Sequence, residues 1–431
     1  MEATATKATF QKYSAYKDSG VEWLGKIPEH WEIGKLGTLL KPVSIKNRPD
    51  LPLLSITREA GVIERNIEDD SENHNFIPDD LSGYKVLNEG QFGMNKMKAW
   101  QGSYGIAPMT GIVSPAYYVF DFNSSINPRF FHLAIRSKNY VAFFGQASDG
   151  VRVGQWDLSK TRMKEIPFFI PPLPEQTAIA AFLDDKTAKI DRAIAQKEKM
   201  IALLKERKQI IIQNAVTKGL DPNAKMKHSG VEWIGEIPEG WKLLSNKNIF
   251  KLIKNQVGKN SSKYDLLSLT LRGIIKRDME NPEGKFPAEF DTYQEVKKGD
   301  FVFCLFDVEE TPRTVGLSKY DGMITGAYTV LRTFKELNNT FLYYFYLNLD
   351  SRKELKYLYK GLRNTIPKDS FFSFKSLIPP LSEQNEIVDY IEAQSTKIDK
   401  AIKLQEQQIE RLKELKSTLI DSAVTGKIKV S

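Results

Sequence analysis

Cysteine is nearly missing from this sequence: Cys304 is the only one in 431 residues. That excludes an internal disulfide and fits a reducing, cytoplasmic location. The four histidines, His30, His74, His132 and His228, are scattered and do not supply the ligand spacing of a structural zinc site. None has a counterpart in the repeat described below, so they are read as surface or packing residues. Long apolar runs are also missing. The greasiest, residues 340–349 (TFLYYFYLNL), is half of the roughly 20 residues that span a bilayer. It predicts a buried helix or strand, and no membrane is expected as a partner. The first ten residues are polar, without the apolar stretch of a signal peptide.

A strong charge of one sign is absent too. The 62 Lys and Arg face 54 Asp and Glu, a net +8. By segment the charge is +1 over residues 1–170, +4 over 171–228, +4 over 229–378 and −1 over 379–431. Nonspecific coating of phosphates needs many Lys and Arg contacts. This distribution fits instead a reader of base edges that draws part of its electrostatics from partners. With 41% hydrophobic and 27% charged residues, global disorder is excluded.

Signatures of catalysis are missing. There is no G-x-G-x-x-G, no P-loop and no Asn/Asp-Pro-Pro-Tyr/Phe motif. Glu-x-Lys triplets of the nuclease kind occur at Glu283/Lys285, Glu295/Lys297 and Glu354/Lys356, and Asp278 precedes the second. Nothing equivalent stands in residues 1–170, and this charge content produces such triplets by chance. The expectation is no catalytic residue, no metal site and no cofactor on this chain.

What the sequence does have is an internal repeat. Residues 19–31 (SGVEWLGKIPEHW) and 229–241 (SGVEWIGEIPEGW) agree at ten of 13 positions. Residues 171–220 and 379–428 agree at 21 of 50, with PPLPEQ answered by PPLSEQ and AVT near both ends. Between them the copies diverge, with echoes such as GIVSPAYYV (111–119) against GMITGAYTV (322–330) and Gly150-Val-Arg152 against Gly361-Leu-Arg363. The tryptophan pairs Trp23/Trp31 and Trp233/Trp241 look like duplicated core anchors.

Each closing block predicts a long helix. Pro-Pro ends the preceding strand, and Glu175 or Glu383 lies in the first turn, where the helix dipole favours an anion. Apolar residues recur at Ile190, Ile194, Ile201, Leu204, Ile211 and Ala215, and again at Ile398, Ile402, Ile409, Leu412, Leu419 and Ala423. The spacings match in both copies and form a heptad seam. Lys197 and Lys208 interrupt the first seam, Gln405 and Lys416 the second. Leu203, Ile210, Leu415 and Ile420 widen the stripe beyond a two-helix seam, as a subunit interface would. Residues 174–216 would span roughly 65 Å at about 1.5 Å per residue. The fold class is α+β: two mixed α/β bodies separated by a long antiparallel two-helix coiled coil, a pseudo-two-fold internal repeat. The expected domains are 1–170, 171–228 (helical spacer), 229–378 and 379–431 (second spacer). The chain ends should meet, because the N-terminal YKDSGVEW continues what the C-terminal AVTGKIKVS leaves off. The bodies are read as short β-rich runs (53–57, 112–120, 301–306, 323–332) around a helix at 128–144 or 339–359.

The blocks SGVEWLGxIPExW, IPPLPEQ/IPPLSEQ with KIDxAI, and AVTxG resemble the specificity subunit of type I restriction-modification systems, over nearly the whole chain. The resemblance implies two target recognition domains, each reading half of a bipartite site on double-stranded DNA, spaced by conserved helices. It implies a non-catalytic scaffold for two modification (methyltransferase) subunits, which carry S-adenosylmethionine, and for two restriction subunits. No base-reading residue carries over, because these domains vary. On chemistry alone the DNA-binding candidates are Lys96, Lys98, Arg152, Gln155, Arg272, Arg277, Arg313, Arg363 and Asn364. Arg152 and Arg363 lead, since they occupy equivalent turns; a salt bridge is the alternative reading of both. The rival function is a stand-alone bivalent DNA-binding regulator.

Overall fold

The computed structural model describes residues 10–21, 25–66, 77–150, 156–231, 234–278, 289–334 and 336–430. Trp23, Trp233, His74, Arg152, Gln155, Glu283 and Lys285 lie outside the described residues. The chain forms two compact units, Met1–Lys197 with Glu406–Ser431, and Glu198–Gln405.

The first unit includes the strands β1 (Glu32–Lys35), β2 (Leu40–Val43), β3 (Leu54–Thr57), β4 (Gly61–Glu64), β5 (Lys85–Leu87), β6 (Phe92–Asn95), β7 (Tyr104–Ile106), β8 (Gly111–Val113), β9 (Tyr117–Phe122) and β10 (Pro167–Ile170). The central sheet has the order β2-β9-β6-β7, all antiparallel. β3 pairs with β4, β5 with β8, and β1 with β10. The expected single run at 112–120 is two strands in different sheets, because Ser114-Pro115 turns the chain and Tyr117 donates its N–H back to Ser114. The expected helix at 128–144 is two helices, α1 (Pro128–Ile135) and α2 (Lys138–Gln146). It breaks at Arg136-Ser137, where Ser137 takes an extended conformation. The exit helix α3 is Leu173–Lys218.

The second unit carries β11 (Lys242–Ser245), β12 (Phe250–Ile253), β13 (Leu267–Thr270), β14 (Gly273–Lys276), β15 (Gln294–Val296), β16 (Phe301–Phe303), β17 (Val315–Leu317), β18 (Gly322–Ile324), β19 (Thr329–Thr333), α4 (Asn339–Ser351), β20 (Lys375–Ile378) and α5 (Leu381–Val424). Its sheet has the order β12-β19-β16-β17. The apolar run at 340–349 is α4, burying Phe341, Leu342, Phe345, Tyr346 and Leu349. No helix among the described residues is long and apolar enough to cross a membrane.

The boundary between units falls inside both long helices, and each unit's core explains why. The first core includes Ile179, Ala180 and Leu183 from α3 with Leu419, Ala423 and Val424 from α5. The second includes Ile387, Val388 and Ile391 from α5 with Ile212, Ala215 and Val216 from α3. In the first unit the helices run antiparallel, since Asp191 bonds Lys416 while Lys197 bonds Gln408. Three of the polar interruptions of the seam, Lys197, Lys208 and Lys416, are therefore cross-helix contacts. Lys416 reaches Asp191 at 2.7 Å and, in the second unit, Lys208 reaches Asp399 at 2.8 Å. These pairs are half exposed and contribute about 0–1 kcal/mol each. Their effect is on register, which an apolar seam alone leaves open. Of the seam residues, Ile398, Ile409 and Leu419 are buried; Ile190, Ile194, Ile201, Leu204, Ile211, Ile402 and Leu412 are half-buried.

The repeated motifs meet in each unit. Trp31 is fully buried and donates its indole N–H to Glu175 at 3.2 Å; Trp241 donates to Glu383 at 2.9 Å. The first-turn glutamates thus serve the tryptophans as well as the helix dipole. The neighbouring Gln176 and Gln384 are buried and accept from the backbone N–H of Asn127 and Asn338. Those asparagines cap α1 and α4. So the Glu-Gln pair ties the opening block and the body helix to the exit helix.

Lys429 donates its backbone N–H to the carbonyl of Gln11 at 2.7 Å, so the two described ends of the chain meet. Gly426 closes α5 at φ +70°, and a Cβ there would fall 2.3 Å from Cδ of Pro28. Gly426→Ala should cost about 1–3 kcal/mol from left-handed strain and the clash with a rigid ring. A thermal melt checks this; an unchanged Tm would show that the closure is slack.

Candidate nucleic-acid interface

Lys46 lies just after β2 and Lys85 opens β5, and the two form an isolated antiparallel bridge. The Lys85 ammonium donates to the carbonyl of Tyr117 at 2.6 Å. Burial, then the charges of Lys46, Lys160 and Lys96, hold it below the ordinary lysine range. The charges of three other ammonium groups thus act on Lys85. Lys96 reaches Asp157 at 2.7 Å, and among the described residues this is the carboxylate bonded to the group. Lys160 stands 5.7 Å over the Tyr118 ring. The Tyr117 hydroxyl accepts from buried Asn95 at 3.1 Å, and Trp100 and Trp156 pack with centroids 5.1 Å apart. Like charges held together with one neutralising partner make a local field suited to an anion. Interleaved aromatics suit a polynucleotide.

Of the predicted residues, Lys96 belongs to this cluster and Lys98 is exposed on the adjoining turn. The sequence reading missed Lys46, Lys85 and Lys160. No local signal marks them, since strand register and not spacing brings them together.

In the second unit the same bridge is made by Gln256 and Gln294, and Gln294 donates to the carbonyl of Tyr328 at 2.8 Å. The rings of Tyr328 and Phe306 stack at 6.1 Å, and the Arg363 guanidinium sits 5.8 Å over Phe306. Arg363 also forks onto Asp307, holding that carboxyl below its usual range. Its salt-bridge reading is therefore met in the structure. Asn364 reaches Glu310 at 3.2 Å, with φ +42°. Both residues belong to a hairpin closed by Lys360 and Thr365, at whose tip Leu362 is fully exposed.

Arg272 is exposed at the turn between β13 and β14, and Arg277 follows β14. Arg313 approaches the carbonyl of Leu271 at 3.4 Å, while its buried Nε and Nη1 meet no acceptor among the described residues. In the first unit Arg136 does the equivalent bracing completely, donating to the carbonyls of Tyr104, Arg58 and Glu59 at 2.7–2.9 Å. Arg313 thus keeps two donors for which an outside acceptor would be favourable.

Glu295 and Lys297 form a loose ion pair at 3.7 Å, and Glu295 also accepts from Asn255. Burial, with Arg136 and Arg129 adding, pushes His132 down to about 4. Its neutral ring accepts the N–H of Ile106, a packing role. His30 bonds Glu175 at 2.8 Å. Among the described residues, no three His, Cys, Asp or Glu side chains converge as a metal site would require.

Residues 30–201 match the family model described as the type I restriction modification DNA specificity domain. Lys46, Lys85, Lys96 and Lys160 all fall inside that range. Over 94% of its length the chain is 25% identical to a protein of Methanocaldococcus jannaschii described as a type I restriction enzyme MjaX specificity subunit, 96% of which is covered. Two solved structures share the fold. One, from work on complex assembly and conformational transition of the type I R-M system, has a TM-score of 0.67 at 15% identity and covers 93% of this chain and 99% of that one. The other, the HsdS subunit from Thermoanaerobacter tengcongensis, has a TM-score of 0.52 at 17% identity and covers 93% and 98%. Residues 30–201 are thus similar to the type I restriction modification DNA specificity domain, and along nearly its whole length the chain is similar to a protein described as a specificity subunit of such a system.

Proposed function

We propose that this chain is the DNA-sequence-recognition subunit of a type I restriction-modification complex, acting without catalysis of its own. The observation that carries the reading is the basic group around the Lys46–Lys85 bridge, with Lys96 and Lys160, which lies wholly within the range matched as a DNA specificity domain. Each unit reads one half of a bipartite site, and the two units arose by duplication. The repeated motifs and the matching strand order of the two sheets support that origin. Lys96, Lys98 and Lys160 in the first unit, with Arg272 and Arg313 in the second, contact DNA. The helices dock two modification subunits, which supply S-adenosylmethionine chemistry, and the assembly accepts two restriction subunits. Exposed Met200, Leu203, Ile210, Leu404 and Leu415 are apolar surface that a partner would cover. A stand-alone regulator has no need of that surface and is not favoured.

The test is co-expression with the cognate modification subunit in a methylation-free host, followed by purification and mapping of methylated adenines. A stable complex that methylates one bipartite motif is expected. A chain that ignores the modification subunit and binds DNA tightly by itself would overturn the reading.

A further inference from the structure

The most informative difference between the two units sits at one structural position. In each, a residue just after the first strand of the central sheet bridges to the first residue of a later strand. The later side chain donates to the carbonyl of a tyrosine. In the first unit these residues are Lys46, Lys85 and Tyr117; in the second they are Gln256, Gln294 and Tyr328. The backbone arrangement is the same and the chemistry differs. Lys46 and Gln256 are exposed, while Lys85 and Gln294 are half-buried and anchored by one donor each. That leaves Lys85 with donors only, and Gln294 with its carbonyl oxygen and one N–H.

In the major groove guanine offers two acceptors, N7 and O6, whereas adenine offers an acceptor, N7, beside a donor, the N6 amino group. Lysine, a donor without an acceptor, complements the first and cannot satisfy the second. Glutamine, donor and acceptor in one plane, complements adenine. A thymine in the same pair presents a methyl group. Leu362 is the fully exposed apolar residue on the hairpin whose Arg363 stacks on Phe306, itself stacked on Tyr328.

We propose that these two bridges are base-reading positions, that the Lys46/Lys85 bridge specifies a G·C pair in one half-site, and that the Gln256/Gln294 bridge specifies an A·T pair in the other. This rests on the reading of the chain as a DNA-recognition subunit. The bridge positions carry the specificity because each bridge sets an exposed side chain beside one anchored at the start of a strand. The chemistry at each can change without altering the fold, since the anchoring contact to the tyrosine carbonyl needs only an N–H.

The experiment uses the assembled complex with its modification subunit and maps methylated adenines genome-wide for wild type, Gln256→Lys/Gln294→Lys and Lys46→Gln/Lys85→Gln. The first variant should alter one half-site alone, replacing an A·T pair by G·C, with methylation of the original motif reduced at least tenfold. The second should alter the other half-site in the opposite sense. If either double variant methylates the wild-type motif unchanged, the proposal is wrong. For a variant that methylates nothing, competition binding decides between wild-type duplex and duplexes carrying each single G·C or A·T exchange. A preference for the exchanged duplex supports the proposal, and equal loss on all duplexes overturns it. A wild-type complex that binds no DNA or methylates no bipartite motif is a different result, since it removes the underlying reading instead.

Discussion

Reversing the charge of Lys98 and Lys160 together should weaken DNA binding by about a hundredfold at roughly 0.1 M salt. Each lysine that neutralises a phosphate contributes about 0.9 to the slope of log affinity against log salt. That is close to one log unit per contact at this salt concentration. Both side chains are exposed, so Lys98→Glu/Lys160→Glu should leave the fold intact. The slope itself should fall by about 1.8. Fluorescence anisotropy titrations at several salt concentrations measure both quantities. The control is Lys17→Glu/Lys26→Glu, two exposed lysines on the ribbon of Tyr16–Asp18 and Lys26–Pro28. It changes net charge by the same amount. If control and test lose equal affinity, the cluster is not the interface and only net charge matters.

The second large effect is on stability. Trp31→Ala should destabilise the first unit by about 3–5 kcal/mol, the range for removing a fully buried aromatic. Trp31 has no exposed surface, packs edge-on to Tyr13 with centroids 6.0 Å apart, and stands beside Gly426. It also satisfies Glu175, which accepts from Tyr13 and His30 as well. Removing the indole therefore opens a cavity where the opening block, the exit helix and the C-terminal segment converge. Trp31→Phe should lose less, because it keeps most of the volume and drops only the N–H. Urea unfolding followed by circular dichroism reads both. A loss under about 1 kcal/mol for the alanine variant would mean that the convergence of motifs adds little to the fold.

Much of this architecture was legible in the residues. The heptad seam was legible because a helix repeats every few residues, so its buried face is written in local spacing. The chain's ends meeting followed from the order of the repeated blocks. Glu175 and Glu383 were legible as first-turn anions, but their tryptophan partners, 144 and 142 residues away, were not. The polar breaks in the seam read as interruptions. Only the opposed helix shows two of them, Lys416 and Lys208, to be paired with Asp191 and Asp399.

The candidate interface divides along the same line. By itself the sequence determined the repeat, the long helices and the lack of catalytic motifs, because each is a pattern along the chain. The tertiary structure alone decided which basic residues gather. It put Lys46 against Lys85 and Gln256 against Gln294, and gave Arg363 to Asp307, 56 residues away. The physical reason is that β-bridges form between distant segments whose register is set by the packing of the whole sheet. A side chain's neighbours across a bridge are therefore invisible to any local window of the sequence.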